Sequence, residues 1–142
     1  MKNQAKFGET ETMELKKSTS ELKEGIISMV SIPNKRRNGE LYFGIRNDGK
    51  IIGQDISEKT LRDISRSVSD HIEPRVFPKI EEITLEGKKC IRVEFSGCDV
   101  PYYAYGRAYI RVGVEDRQVS AKELEKLILE KSDKCGTKVL LS

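Results

Sequence analysis

Four polar side chains have the types and spacing for metal-dependent chemistry. Glu9 and Glu14 are five positions apart, Lys16 follows Glu14 by two, and Asp48 lies in an Asn-Asp-Gly turn. Because alternate positions of a strand share one face, Glu14 and Lys16 would lie side by side. Carboxylates bind Mg²⁺ or Mn²⁺, and a neighbouring lysine can steady an attacked phosphate. The same spacing also fits an ordinary exposed ion pair, so both interpretations stay open.

A second set of residues has the chemistry of nucleic-acid binding. Long cationic side chains neutralise phosphates, and aromatic rings stack on the bases of single strands. The set combines basic residues of predicted loops and turns with nearby tyrosines: Lys35, Arg36, Arg37, Arg46, Arg107, Arg111, Arg117, Tyr103 and Tyr105. The same residues also fit a solvated surface and a packed sheet.

The overall charge is compatible with a nucleic-acid partner but does not require one. The 142 residues include 26 Lys and Arg against 23 Asp and Glu, a net charge of +3. That excess is too small to establish a polyanion partner by itself. The distribution of the basic residues therefore carries more information than their number.

The chain has no sequence signal for a common cofactor or for a membrane. Cys90, Cys98, Cys135 and the single histidine, His71, have no paired short spacing, so they predict neither a zinc site nor a disulfide framework. The phosphate-binding Gly-x-x-x-x-Gly-Lys loop does not occur. Since no apolar run approaches the ~18 residues of a membrane span, we expect a cytoplasmic protein with reduced thiols and no membrane partner.

Hydrophobic patterns predict the elements of the first half of the chain. The alternation over Met13–Lys16 predicts a short strand. Ser18 and Glu21 have the spacing of a capping box, which predicts a helix that Pro33 would end, followed by a basic loop. Residues 39–53 predict a hairpin around the Asn-Asp-Gly turn.

The second half predicts two helices and four strands. One helix begins at Glu58, and the other is opened by a capping box at Ser120 and Glu123. Between them, residues 79–95 predict a hairpin, and residues 102–112 predict two short strands around a turn. The helix that begins at Glu58 has an apolar face, which consists of Leu61, Ile64, Val68 and Ile72. This order of elements predicts a single α+β domain with a mixed or antiparallel sheet and about three helices.

The full series of short segments resembles the Schlafen-type Alba-like domain family over roughly residues 8–127. The series consists of Glu9, Glu14-Leu-Lys16, Gly39-Glu-Leu-Tyr-Phe-Gly-Ile45, Asn47-Asp-Gly49, Ile51-Ile-Gly53, Ile72-Glu-Pro74, Pro78-Lys-Ile80, Pro101-Tyr102 and Tyr109-Ile-Arg-Val-Gly113. In prokaryotes this family is found at the N-terminus of proteins classed as transcriptional regulators, often ahead of a divergent AAA-type ATPase region. The resemblance implies a DNA-binding domain over residues 8–131, with residues 132–142 as a tail that would link it to a further domain.

The resemblance also implies a nuclease as the alternative function. Some Schlafen proteins cleave RNA with three carboxylates, and the first two fall on Glu9 and Glu14. The third falls on Asn47, with Asp48 one position later, and an amide is a poor substitute for a charged metal ligand.

The leading prediction is therefore a non-catalytic nucleic-acid-binding domain without a cofactor. Its alternatives are a Mg- or Mn-dependent RNase, with Glu9, Glu14 and Asp48 as metal ligands and Lys16 beside them, and a protein-interaction module. A homodimer and the choice between DNA and RNA stay open.

Overall fold

Eight strands and three helices make up the part of the chain that the computed structural model describes, residues 7–130. The strands are β1 (Met13–Lys16), β2 (Asn38–Phe43), β3 (Ile72–Glu73), β4 (Lys79–Leu85), β5 (Lys88–Ser96), β6 (Tyr103–Ala104), β7 (Arg107–Val112) and β8 (Glu115–Gln118). The helices are α1 (Leu22–Lys35), α2 (Glu58–His71) and α3 (Ala121–Leu129).

The strands form two four-stranded sheets rather than one. The first has the order β1-β2-β5-β4 and is mixed, because β1 runs parallel to β2 while the other pairs are antiparallel. The second has the order β3-β6-β7-β8 and is antiparallel throughout. The predicted α+β class with three helices is confirmed.

Helix α1 supplies much of the main hydrophobic core and contacts strands of both sheets. Its Ile26 and Met29 are fully buried together with Phe43 of β2 and Ile91 of β5. A Cβ added at Gly25 would lie 3.0 Å from the Phe43 ring, so the absence of a side chain there lets the helix approach the sheet closely. Burial of these apolar residues is the main force that holds α1 against the sheets.

The predicted apolar face of α2 packs into the same core. Ile64 and Val68 are buried, and Leu61 is partly buried at the edge of the cluster. Ile72, predicted on the same helix face, is buried as the first residue of β3. The helix begins with a capping box in which Ser57 and Thr60 bond to each other's backbone amides. The predicted start at Glu58 is confirmed.

The prediction that Pro33 ends the first helix is wrong. Helix α1 continues through Pro33 to Lys35, and the Arg36 amide closes it by donating to the Ile32 carbonyl. Asn34 explains this two-residue extension, because Nδ2 of its buried amide group donates to the carbonyl of Tyr102, directly before β6, at 3.0 Å and to that of Tyr109 in β7 at 2.8 Å. Tertiary hydrogen bonds thus outweigh the local tendency of proline to end a helix.

The hairpin predicted over residues 39–53 is confirmed only at its tight turn, where the Gly49 amide donates to the Arg46 carbonyl at 2.8 Å and the Arg46 amide to the Lys50 carbonyl at 2.8 Å. Only a single bridge joins Ile45 to Ile51, since both edges of β2 are already occupied by β1 and β5. The following segment turns back, where the amides of Ile52 and Gly53 donate to the Gly44 carbonyl. The capping box predicted at Ser18 and Glu21 is replaced by a short 3-10 turn over Thr19–Glu21.

The other two hairpins and the last helix are confirmed. The β4–β5 turn contains Gly87, and the β6–β7 turn contains Gly106, each with positive φ. Ser120 and Glu123 form the predicted capping box of α3. Strands β3 and β8 were not predicted, because β3 has two residues and β8 (Glu-Asp-Arg-Gln) has no apolar alternation.

Two further expectations concern the thiols and the membrane. Cys90 is a buried free thiol, whereas Cys98 takes part in a disulfide bond, which corrects the expectation of reduced thiols throughout. Cys135 and the predicted tail lie outside the described residues. Between residues 7 and 130, no helix is both long enough and apolar enough to cross a membrane.

Candidate nucleic-acid interface and the buried ionic network

Arg111 of β7 is fully buried at the centre of an ionic network. Its Nη1 lies 2.6 Å from Oε1 of Glu14 and 2.8 Å from Oδ1 of Asp116. Nη2 donates to the carbonyls of Thr10 at 2.8 Å and Met13 at 2.9 Å, and Nε donates to the Thr10 carbonyl. Burial opposes the charge, but the hydrogen bonds to Asp116 and Glu14 outweigh it and raise the pKa of Arg111. Because internal groups engage each of its nitrogens, Arg111 has no donor nitrogen left for an external phosphate.

Asp116 extends this network to helix α1. Its carboxylate accepts hydrogen bonds from the hydroxyl groups of Ser28, at 2.5 Å, and Ser31. Strand β8 and helix α1 are therefore joined through the same carboxylate that binds Arg111. This network stabilises the arrangement of the second sheet on α1 and β1, so its role is structural.

Glu9, Glu14 and Lys16 lie together on one side of the network. Lys16 Nζ is 3.1 Å from Oε2 of Glu14, and Oε2 of Glu9 accepts from the Leu15 amide at 3.4 Å. Burial, a hydrogen bond to Glu14 and the like charge of Glu14 raise the pKa of Glu9 to about 7. Two carboxylates beside a lysine are thus brought together, as the metal-dependent alternative requires.

Asp48 does not join this pair. It is exposed in the turn after β2, where Oδ2 binds Arg46 Nη2 at 3.1 Å and Oδ1 accepts from the Lys50 amide at 3.0 Å. Over residues 7–130 no three Asp, Glu, His or Cys side chains converge in a way that could hold a metal ion. The third carboxylate of the alternative site is therefore not in place.

Four basic residues line a cavity of about 330 Å³ between the end of α1, the β7–β8 pair and α3. They are Lys35, Arg111, Arg117 and Lys126, with an apolar wall that includes Leu127. Since the Arg111 guanidinium is held by the buried network, Lys35, Arg117 and Lys126 are the basic side chains that could contact a ligand there. Arg117 also binds Glu123 at 2.9 Å, and that hydrogen bond, together with those from Ser120, lowers the pKa of the Glu123 carboxyl to about 2. The lining therefore combines converging basic residues with two acidic ones, Glu123 and Glu130.

The sequence model of the Schlafen, AlbA_2 family matches residues 9–120, most of the chain. The chain belongs to this family. No curated protein matches it in sequence.

Two solved structures share the fold of this Schlafen, AlbA_2 domain. The DIP2311 protein of Corynebacterium diphtheriae is 16% identical, with a TM-score of 0.63 and coverage of 82% of this chain. The chain spans only 23% of that protein. The other is the N-terminal domain of a RecG-related protein from Nitrosomonas europaea that is named after an ATP-dependent DNA helicase. It is 18% identical, with a TM-score of 0.52 and coverage of 85% of this chain and 83% of the other.

The remaining predicted basic residues of the Schlafen, AlbA_2 domain do not line this cavity. Arg36 and Arg37 are exposed between α1 and β2, where Arg36 Nη2 lies 2.6 Å from Glu11. Arg46 is in the turn after β2, and Arg107 begins β7, where it donates to Gln118 at 3.4 Å. Of the predicted set, Lys35, Arg111 and Arg117 line the basic cavity, and the Arg111 guanidinium is taken up by the buried network.

The two predicted tyrosines are both half-buried. Tyr103 lies in β6 between Glu73 and Ala108. Tyr105 lies in the β6–β7 turn, where its ring stacks on His71 at a centroid distance of 4.5 Å. Of the two, Tyr105 is therefore the one in a surface aromatic pair.

Sequence reasoning missed Lys126, Asp116 and the two α1 serines of the ionic network. Lys126 carried a weak signal, because it lies one helical turn after Lys122 on the predicted helix. Asp116 had none, since β8 shows no strand pattern and its partners are 88 and 85 positions away in the chain.

Proposed function

We propose that this Schlafen, AlbA_2 domain binds nucleic acid without cleaving it, as the DNA-binding part of a regulator-like protein. The observation that carries the proposal is the convergence of Lys35, Arg117 and Lys126 around one cavity, next to the exposed Arg36 and Arg37. Phosphate contacts by such long cationic side chains supply most of the affinity in non-specific nucleic-acid binding.

The geometry of the end of α1 supports this proposal. Lys35 is the last residue of the helix, and Arg36 and Arg37 follow it directly. Cations are favourable at a helix C-terminus because they compensate its partial negative charge, which partly offsets the repulsion among these adjacent basic residues. Both arginines are exposed, and Arg36 is also paired with Glu11 at 2.6 Å.

The similar solved structures support the proposal that the domain belongs to a longer protein. One solved neighbour is the N-terminal domain of a protein named after a DNA helicase, and the other is a protein of which this chain spans less than a quarter. We propose on this basis that the domain works within a longer protein, with a role in regulation and a partner domain such as an ATPase region. Binding would then position that partner domain on DNA.

Fluorescence anisotropy with DNA and RNA oligomers at two salt concentrations tests the proposal. We expect affinity to fall with salt, by roughly 0.7–0.9 log units per log unit of salt for each phosphate neutralised. Replacing Lys35, Arg36 and Arg37 with Ala should weaken binding to all sequences and flatten this dependence. The matched control removes the same charge from α2 by replacing Lys59, Arg62 and Arg66, and should have a smaller effect. Equal affinity of the first variant and the unaltered protein would contradict the proposed interface.

A Mg²⁺- or Mn²⁺-dependent RNase is the second candidate, favoured by the Glu9, Glu14 and Lys16 cluster. It ranks below binding because Asp48 is engaged elsewhere and both oxygens of Glu14 already bind Arg111 or Lys16. A hard dication needs anionic oxygen ligands, and two carboxylates that share their charge with a lysine and an arginine supply few of them.

A further inference from the structure

His71 and Tyr105 form an aromatic pair where the end of α2 meets the β6–β7 turn. The rings are inclined by 26° with centroids 4.5 Å apart, so they stack. The Tyr105 amide donates to the His71 carbonyl at 2.9 Å, which fixes the two backbones relative to each other. The pair is therefore already formed in the absence of any ligand.

The two rings differ in their exposure. Tyr105 is half-buried and packs against the main hydrophobic core, whereas His71 is exposed. Since Tyr105 covers one face of the exposed imidazole, a planar ligand would stack on the opposite face. A planar ligand could extend the stack on that face and gain an aromatic surface that the core holds rigidly.

The charges around the pair are mixed. Lys23 Nζ lies 5.2 Å from the centre of the Tyr105 ring, and Arg107 is exposed two positions after Tyr105. Burial and the Glu24 carboxylate raise the pKa of Tyr105, so its phenol stays protonated and neutral. Asp70 and Glu73 flank His71 in the chain. Since acids offset the two cations, the rings rather than net charge would supply the binding energy for a ligand here.

We infer that the His71–Tyr105 pair is a stacking site for a base of single-stranded nucleic acid. The inference rests on the proposed function and narrows its ligand class. A single strand can present an unstacked base to an aromatic side chain, and its flanking phosphates could contact the exposed Lys23 and Arg107. A duplex keeps its bases stacked inside, so it cannot use this site without being opened.

A single-stranded oligothymidylate that carries one 2-aminopurine tests this inference, with a duplex of the same length beside it. Stacking on an aromatic ring changes the 2-aminopurine emission, and titration gives the affinity of each form. The variants are His71→Ala, which removes the outer ring, and His71→Tyr, which keeps an aromatic ring there. Ser69→Ala, at an exposed position of the same helix, is the matched control.

We expect His71→Ala to weaken single-strand binding about tenfold, the scale of one base stacked on an aromatic ring. Duplex affinity and the salt dependence should stay unchanged, and His71→Tyr should restore most of the affinity. Unchanged single-strand affinity and emission in His71→Ala would overturn the stacking site while leaving phosphate binding intact. An equal loss for duplex and single strand would overturn it as well, because stacking cannot explain that result. If the unaltered domain bound neither form, the proposed function itself would fall.

Discussion

Arg111 and Glu14 form an ion pair that is almost completely closed to solvent. Arginine Nη1 lies 2.6 Å from glutamate Oε1, and the two side chains are 0% and 5% exposed. The pair joins β7 of the second sheet to β1 of the first, 97 positions apart in the chain. A residue that sequence reasoning assigned to phosphate binding thus holds two parts of the fold together, and the first prediction follows from that role.

Replacing Arg111 with Met should lower the free energy of unfolding by about 3–5 kcal/mol. The change removes the central cation from the buried Glu14 and the partly buried Asp116 and leaves Glu14 with Lys16 alone, and poorly compensated buried charge is strongly destabilising. Urea denaturation measures the loss. Arg117→Met is the matched control, because Arg117 is exposed and its ion pair with Glu123 lies in solvent, so its loss should be much smaller. Equal stability of the two variants would contradict the structural role of Arg111.

Glu9 should make the domain less stable as the pH rises from about 5 to 8. Its pKa is raised in the folded protein from the ordinary 4.5 to about 7, so between these values the folded state binds more protons than the unfolded state. Stability must then fall as the pH rises through this window and level off above it. Thermal unfolding at a series of pH values measures the effect.

Glu9→Gln is the control for this pH dependence. Glutamine keeps a neutral hydrogen-bonding group beside Glu14, so the decline between pH 5 and 8 should be reduced in this variant. A decline of the same size in Glu9→Gln and in the unaltered protein would assign the titration to another group.

Local patterns in the sequence correctly predicted the elements that depend on interactions between residues close together in the chain. The face of α2 with Ile64 and Val68, the β4–β5 hairpin and the capping box at Ser120 each depend on spacing within a few residues. Such short-range signals can be seen in one sequence because the interactions that they report are themselves local.

Features set by distant residues could not be predicted in this way. Helix α1 continues past Pro33 because Asn34 binds the second sheet, and β2 lacks a hairpin partner because β1 and β5 occupy its edges. The same distinction between local and distant interactions applies to the candidate site. The Glu14–Lys16 neighbourhood follows from strand periodicity, whereas the burial of Arg111 and the approach of Lys126 to Lys35 depend on tertiary packing.

Replacing Ile64 with Ala should lower the free energy of unfolding by about 2–5 kcal/mol. Ile64 is 1% exposed in the main core, and removing its outer carbons leaves a cavity that the packed neighbours fill only in part. Leu129→Ala is the matched control, since Leu129 is 78% exposed and the same kind of truncation there should change stability by no more than about 0.5 kcal/mol. Urea denaturation compares the two, and a small loss in Ile64→Ala would show that this face of α2 is not essential to the core.

The domain should not cleave structured RNA in the presence of Mg²⁺ or Mn²⁺. Within residues 7–130, Glu9 and Glu14 meet without a third carboxylate, and Glu14 already binds both Arg111 and Lys16. A dication held by so little uncompensated negative charge should bind weakly at physiological concentrations. Incubation with labelled RNA, followed by gel electrophoresis, measures cleavage.

Two variants would identify which carboxylates are responsible for any cleavage that is observed. Asp48→Asn changes an exposed turn residue, so it should fold normally, whereas Glu14→Gln alters the buried network and must first be shown to be folded by circular dichroism. Activity that disappears in both folded variants would place Asp48 beside Glu14 during the reaction and make the nuclease the primary function. Activity that disappears with Glu14→Gln alone would point to a two-carboxylate site with Glu9. Activity that survives both changes would come from elsewhere or from a contaminant, and would leave the binding proposal in place.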